Sequence, residues 1–284
     1  MSDVRIGHWT APGGGCGCTV VVFPEQTTAS GEVRGGAPAT REFALLEPTA
    51  MVSHIDAVVL SGGSAFGLAA ADGVVQGLVE ADRGFVTRSG KVPIVVAMSL
   101  FDLADGVPRP GPAEGRSAFD AAEAGDAAIG TPGRVGAGAG ATVGKWRGPE
   151  SASPGGLGSA TVRAGGCTVS ALVAVNAVGD IDDGTTTAEV LAGNHEPYQP
   201  STAAFENTTL GVIWTDASLD KTQCRLVAES GHDGIGRALI PAHTQADGDA
   251  LVVASTGDVQ VDLVTVRLLA VAAVEAAIRS VADL

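Results

Sequence analysis

The sequence predicts a layered α/β or α+β domain. Three observations lead there. Of 284 residues, 45% are hydrophobic and only 17% charged, with 40 glycines, a balance that a disordered chain would reverse. Val-rich runs bounded by Gly and Pro recur along the chain, as strands buried on at least one face do. Ala-rich stretches with helical spacing lie between them.

In chain order, the strand-like runs are CTVVVFP (18–24), DAVVLSGG (56–63), KVPIVVAMSL (91–100), the long ATVRAGGCTVSALVAVNAVGDI (160–181), TTLGVIWTDA (208–217) and ALVVASTG (250–257). The first helix is expected in SAFGLAAADGVVQGLVEAD (64–82), with Ser64 as N-cap. RSAFDAAEAGDAAIG (116–130) is the second. LDKTQCRLVAESGHDGIGRALI (219–240) carries an i, i+3, i+4 apolar stripe that Gly231, Gly234 and Gly236 are expected to interrupt. The C-terminal VDLVTVRLLAVAAVEAAIRSVADL (261–284) is the strongest helix. Aromatic residues make up 4% of the chain, so Ala, Val, Leu and Ile must fill the core, and thin Ala-rich helices can lie close on a sheet. No period of 20 to 50 residues suggests a solenoid. Residues 180–206 are polar, hold two prolines and the one Tyr, and read as a long structureless excursion.

Formal net charge is −15 and no run of Lys or Arg occurs, which disfavours nucleic acid and acidic membrane surfaces and favours a small neutral or cationic substrate. MSDVRIGHWT lacks the apolar core of a signal peptide. Arg267 and Glu275 break the C-terminal apolar stretch, so no membrane span is expected. Cys16, Cys18, Cys167 and Cys224 have no zinc-site spacing and read as reduced core thiols in a cytoplasmic protein.

One junction stands out. In FENTTLGVIWTDA (205–217) a strand begins abruptly behind Asn207, with Thr208 and Thr209 at its head. A hydroxyl behind a strained peptide bond can attack the preceding carbonyl, shift the acyl group to oxygen and let water cut the chain. The freed α-amine, with a pKa of about 7.7–8.0, then serves as the base for its own residue's hydroxyl. Thr is restricted at χ1, which limits where that hydroxyl points. Two β-branched residues that merely start a strand would look the same.

Six segments in order carry a resemblance: RGGAPATRE (34–42), LSGGSAFGLAAADGV (60–74), VGAGAGATVGK (135–145), LVAVNAVGD (172–180), NTTLGVIWT (207–215) and PAHTQADGDALVVASTG (241–257). Across nearly its whole length the chain resembles the self-processing aminopeptidases that include the L-aminopeptidase/D-amidase-esterases (the DmpA type), the β-peptidyl aminopeptidases and the nylon-oligomer hydrolases. The resemblance implies an α+β four-layer αββα sandwich. It also implies one domain, 1–284, cut between Asn207 and Thr208 into fragments 1–207 and 208–284. The cut protomers would assemble into a homo-oligomer, often a tetramer. The activity implied is a hydrolase's, on small peptide or amide bonds, with Thr208 as nucleophile and no cofactor or metal.

The same resemblance gives roles to further residues. Asn176, at the polar end of its strand, would donate to an oxyanion. Asp247 and Asp249 flank Gly248; if the strand starts there they share a face, and one of two such carboxylates must rise in pKa. Some members carry Ser and Glu at this pair; Asp at both is similar to the nylon-oligomer hydrolases. Lys145 would lower the pKa of the new amine, and the glycines before it would allow close backbone approach.

Other candidates are weaker. LSGGSAFG lacks the second Gly of a nucleophile elbow around Ser64, and Gly136-x-Gly138 lacks a dinucleotide site's context. His232 and His243 lack metal-ligand spacing and read as turn or helix-end histidines. Arg34, Arg41 and Glu42 read equally as a buried ion pair or a pocket wall. An acyltransferase of the ornithine-acetyltransferase type and a non-catalytic scaffold that never cleaves are the alternatives to hydrolysis.

Overall fold

The computed structural model describes residues 4–125, 132–194, 207–282 and 284. Ten strands form two five-stranded sheets: β1 (Arg5–Thr10), β2 (Gly17–Val22), β3 (Thr28–Val33), β4 (Thr40–Arg41), β5 (Ala57–Ser61), β6 (Val95–Ser99), β7 (Gly156–Ala164), β8 (Cys167–Asn176), β9 (Thr208–Ala217) and β10 (Ala250–Val259). The first sheet has the order β1-β2-β5-β6-β4 and the second β7-β8-β9-β10-β3. Helices α1 (Ala70–Glu80) and α2 (Pro112–Ala124) cover the first sheet; α4 (Lys221–Ala238) and α5 (Leu263–Arg279) cover the second; α3 (Thr185–Leu191) stands apart. The result is the expected αββα sandwich.

Both sheets follow one plan. An antiparallel hairpin leads to a strand, a helix crossover and a parallel strand, with a second helix behind. An antiparallel edge strand closes each sheet. Alternation along each strand sorts side chains between three cores. Val58, Leu60, Val96 and Met98 meet Leu172, Leu210, Val212 and Val252 between the sheets. Val173, Val175, Ile213 and Val253 face α4 and α5, and Val20, Val59 and Ala97 face α1 and α2.

Several boundaries differ from expectation. The run 160–181 is not one strand: β7 and β8 form a hairpin that turns at Gly165 and Gly166, both at positive φ. RIGHWT and TASGEV also form strands. Neither is apolar enough to announce itself, since each is an edge strand only partly buried. Ser64 is not an N-cap. Gly63 caps a 3₁₀ turn, Ser64–Ala69, that runs into α1, and Ser64 itself sits at φ 54°. Helix α2 starts at Pro112, earlier than expected, with Glu114 accepting from the Gly111 N–H at 2.9 Å; residues 126–131 lie outside the described ones.

Helix α4 is not interrupted by its glycines. A Cβ on Gly231 would fall 2.6 Å from Ile213 Cδ1, and one on Gly234 2.6 Å from the Val271 carbonyl oxygen. These glycines let the helix sit close to β9 and α5, which outweighs their low propensity. Within the polar excursion, Asp180–Ile181 pairs with Leu239–Ile240, and α3 follows. The rest of the excursion, 195–206, lies outside the described residues. All four cysteines are free and buried. No described helix is long and apolar enough to cross a membrane.

Candidate functional site

Thr208 opens β9 and lies across the ladder from Asn176, the last residue of β8. Residues two apart share a face. Leu210 and Val212 on β9, and Leu172 and Ala174 on β8, point between the sheets. The Thr208 and Asn176 side chains therefore project into the end of the inter-sheet gap, and both are buried.

The first sheet closes that gap. Asn176 Nδ2 donates to the Phe101 carbonyl oxygen at 2.9 Å, two residues beyond β6. Asn176 Oδ1 accepts from the Thr142 N–H at 3.0 Å and from Lys145 Nζ at 3.1 Å. Lys145 reaches it from a short 3₁₀ turn that follows Gly144, at φ 80°. The glycines ahead of that turn do allow close approach: a Cβ on Gly138 would fall 2.2 Å from the Leu157 nitrogen, and one on Gly140 2.0 Å from the Gly15 carbonyl oxygen.

On the other side, β9 and β10 run parallel. Their pairing continues backward past Leu210–Ala250 to a bridge between Asn207 and Asp247. The Asn207 carbonyl oxygen accepts from the Thr208 hydroxyl and from the Gly248 N–H, the latter at 3.1 Å. The carbonyl at the expected cut is thus polarised by one donor while the hydroxyl rests against it.

Asp247 and Asp249 do not point to one face of a strand. β10 starts only at Ala250, and the two carboxylates leave a loop in different directions. Asp247 Oδ1 accepts from Val178 N–H at 3.1 Å, and its Oδ2 from the Thr244 N–H at 3.0 Å and hydroxyl at 2.6 Å. Asp249 Oδ1 accepts from the Thr209 N–H at 2.6 Å, and its Oδ2 meets His243 Nδ1 at 2.7 Å. The electrostatic expectation holds even so: burial, then the charge of Asp249, push the Asp247 carboxyl up to about 6.

The loop is braced by the RGGAPATRE segment. Asp247 O accepts from the Ala37 N–H at 2.9 Å, Thr244 O from the Gly36 N–H at 3.2 Å, and Asp249 O from the Arg34 N–H at 2.7 Å. Its arginines form no buried ion pair with Glu42; Arg34 meets Glu32 at 3.2 Å and Arg41 meets Asp72 at 2.7 Å, each about a third exposed.

Five residues chosen from sequence thus gather at one end of the sandwich: Thr208, Asn176, Lys145, Asp247 and Asp249. Sequence reasoning missed the Gly248 N–H, Thr244 and His243. Thr244 sits three residues before Asp247, the spacing of a local side-chain turn, and that signal was available. His243 had none, because its partner Asp249 is defined only by the loop's path. The two histidines pack edge to face, centroids 4.9 Å apart; among the described residues no group of three His, Cys, Asp or Glu is placed to hold a metal.

The model of peptidase family S58 matches residues 1–284. An uncharacterised aminopeptidase of Mycobacterium leprae is 39% identical over 292 residues, covering 92% of this chain and 78% of the relative. A 6-aminohexanoate-oligomer endohydrolase of Agromyces sp. is 29% identical over 278 residues, covering 90% and 74%. Among solved structures, the L-aminopeptidase D-Ala-esterase/amidase of Ochrobactrum anthropi, described as a variant of the Ntn-hydrolase fold, superposes with a TM-score of 0.71 at 21% identity, covering 98% of this chain and 83% of its own. A β-aminopeptidase of Burkholderia sp. gives 0.70 at 23% over the same shares; at such identities the likeness speaks for the fold. With the family model matched from end to end, this chain belongs to peptidase family S58.

Proposed function

We propose that this chain is a self-processing aminopeptidase or amidase with Thr208 as its nucleophile. The observation that carries the reading is the Thr208 hydroxyl lying on the Asn207 carbonyl oxygen, which also accepts from the Gly248 N–H. Attack of Thr208 Oγ1 on the Asn207 carbonyl carbon forms a C–O bond; the C–N bond breaks and its nitrogen takes the hydroxyl proton. Water then hydrolyses the ester. The products are fragment 1–207, ending in a carboxylate, and fragment 208–284, beginning with a free α-amine. Gly248 N–H stabilises the negative charge that gathers on the oxygen in this step.

In turnover the α-amine takes the proton from Thr208 Oγ1 as it attacks a substrate amide. The proton passes to the leaving amine, and water releases the acyl group. Asn176, facing Thr208 across the ladder, supplies the amide donor for the substrate's oxyanion. Lys145, held at Asn176 Oδ1, keeps a positive charge near the new amine and so favours its neutral form. Asp249 anchors the nucleophile's strand through the Thr209 N–H, and the Asp247–Asp249 pair exchanges a proton with the amine.

The substrates fitting this reading are short linear amides with a free amine end. The activities in the relatives' names and a net charge of −15 support that class. A cytoplasmic homo-oligomer, a tetramer of cut protomers, completes the proposal; Val264 and Leu268, exposed one turn apart on α5, are the kind of surface such assembly covers. Intact-mass measurement tests the core claim. The purified protein should give two fragments matching 1–207 and 208–284, and Thr208→Ala a single chain; one uncut species from the unaltered protein refutes it.

A further inference from the structure

We infer that His243 is a positioning residue for the carboxylate pair: as an imidazolium it holds Asp249 as the anion and leaves Asp247 to carry the pair's exchangeable proton. This deepens the proposed chemistry and rests on it for its catalytic meaning, though not for the charge states themselves.

With Asp249 as the anion, the ring faces two acceptors. His243 Nδ1 lies 2.7 Å from Asp249 Oδ2, and Nε2 lies 3.4 Å from the His232 carbonyl oxygen. A carboxylate and a carbonyl both accept. A neutral imidazole has one N–H and can serve only one of them, whereas the imidazolium serves both. The backbone is fixed for the same purpose: His243 adopts φ 55°, and its own N–H also faces Asp249 Oδ2, at 3.3 Å. Asp249 then spans from the cation to the Thr209 N–H, one residue past the nucleophile.

Asp247 receives three hydrogen bonds as well, but all from neutral donors, Val178 N–H and the N–H and hydroxyl of Thr244. Two neighbouring buried carboxylates do not both ionise cheaply. The proton therefore settles on the one that lacks a cation.

The other charged groups near His243 are consistent with this. His232, packed edge-on from α4, is neutral: its Nε2 donates to the Glu32 carbonyl oxygen at 3.1 Å, and burial presses its pKa down to about 3. Arg34, at the end of β3, is offset by Glu32 at 3.2 Å and Asp233 at 4.0 Å. Burial alone would lower the pKa of His243; the hydrogen bond and charge of Asp249 outweigh it and raise it. Removing the cation leaves Asp247 holding its proton more tightly, and because that proton exchanges with the amine in the proposed mechanism, the acid limb of the pH–rate profile moves to higher pH.

The test has two arms on the full chain. Histidine side-chain NMR titration of the unaltered protein reads the charge directly. The His243 signals are assigned by their loss in His243→Asn, or by their contact with the His232 ring should that variant not fold. His243 is expected to remain an imidazolium at pH 7 and to lose that charge in Asp249→Asn. A neutral His243 at pH 7 overturns the inference, whether or not the chain cleaves itself. In the second arm, His243→Asn is expected to move the acid limb of kcat/KM for an amino-terminal p-nitroanilide up by about one pH unit; an unmoved limb in a cleaved, active variant also overturns it. Absence of cleavage and turnover in the unaltered protein would instead count against the proposed function, with the NMR arm still deciding the charge of His243.

Discussion

The hydroxyl of Thr208 donates to the carbonyl oxygen of Asn207, the residue immediately before it, so the proposed nucleophile rests on the carbonyl of the bond it is proposed to cut. Shape and chemistry can be separated at this position. Thr208→Val keeps the β-branched outline and loses the hydroxyl; it should fold and stay a single chain. Thr208→Ser keeps the hydroxyl with a freer χ1 and should cut about tenfold more slowly. Fragment accumulation followed by mass spectrometry checks both, and efficient cleavage of the Val variant would eliminate this hydroxyl as the nucleophile.

Gly248 has no room for a side chain. A Cβ there would lie 2.4 Å from the Ala37 carbonyl oxygen and 2.9 Å from Thr208 Oγ1. Gly248→Ala must therefore shift the loop that presents its N–H to Asn207. We expect a folded protein whose self-cleavage falls by about 10²–10³, the range for loss of one oxyanion donor. Circular dichroism with a cleavage time course measures this; normal cleavage would show that the N–H is dispensable.

Much of this was legible in the sequence, for identifiable reasons. The central strands announce themselves because Val20–Val22, Val58–Leu60 and Val252–Val253 are buried from both sides, which gives continuous apolar runs. The edge strands do not, because Thr28–Val33 has a full strand beside it on one side only, with a single bridge to His54 on the other, and must hold Gly31, where a Cβ would fall 2.8 Å from the Phe43 ring. At the site, Thr208 and Asn176 were legible as residues at the ends of apolar runs. The His243–Asp249 contact was not. It depends on a left-handed turn at His243, a conformation uncommon in any residue but Gly even though His is among those enriched there.

Asn176 joins three parts of the site, with Phe101, Thr142 and Lys145 all bonded to its amide. Asn176→Ala removes the proposed oxyanion donor and releases Lys145 from it. For protein already cut, kcat should fall about 10²–10³ with KM changed little, since the lost interaction belongs to the transition state. Steady-state kinetics on an amide substrate decide it; a rise in KM alone would assign Asn176 to ground-state binding.

His232 gives stability a pH dependence whose sign can be worked out. Burial lowers its folded pKa to about 3, against about 6.5 unfolded. As pH falls below 6.5 the unfolded chain takes up a proton that the native state refuses, so this residue's contribution declines, by about 1.4 kcal/mol per pH unit. Asp247 acts in the opposite sense: its folded pKa is raised to about 6, so lowering pH through that window favours the native state. Total stability thus hides both, but a difference between variants does not. The stability deficit of His232→Asn relative to the unaltered protein should shrink by about that slope between pH 6 and 4. Urea unfolding at several pH values measures it, and a deficit independent of pH would mean that His232 is protonated in the native state.

Lys221 is buried at the start of α4, where its ammonium donates to three backbone carbonyls: Leu45 at 2.8 Å, Ala50 at 2.9 Å and Val52 at 2.8 Å. Those three donors match what one ammonium can give, so the side chain ties the 45–52 segment to the helix. Lys221→Met fills similar space and supplies none of them. It leaves carbonyls without their donors, at a cost of about 2–3 kcal/mol, and should lower Tm by about 5–10 °C. The contact is far along α4 from the Thr208 end of the sandwich, so the variant should still cut itself below its lowered Tm. Calorimetry paired with intact-mass measurement separates the two effects: an unchanged Tm would show the three hydrogen bonds to be worth little in water's presence, and a stable but uncut variant would couple this segment to the site.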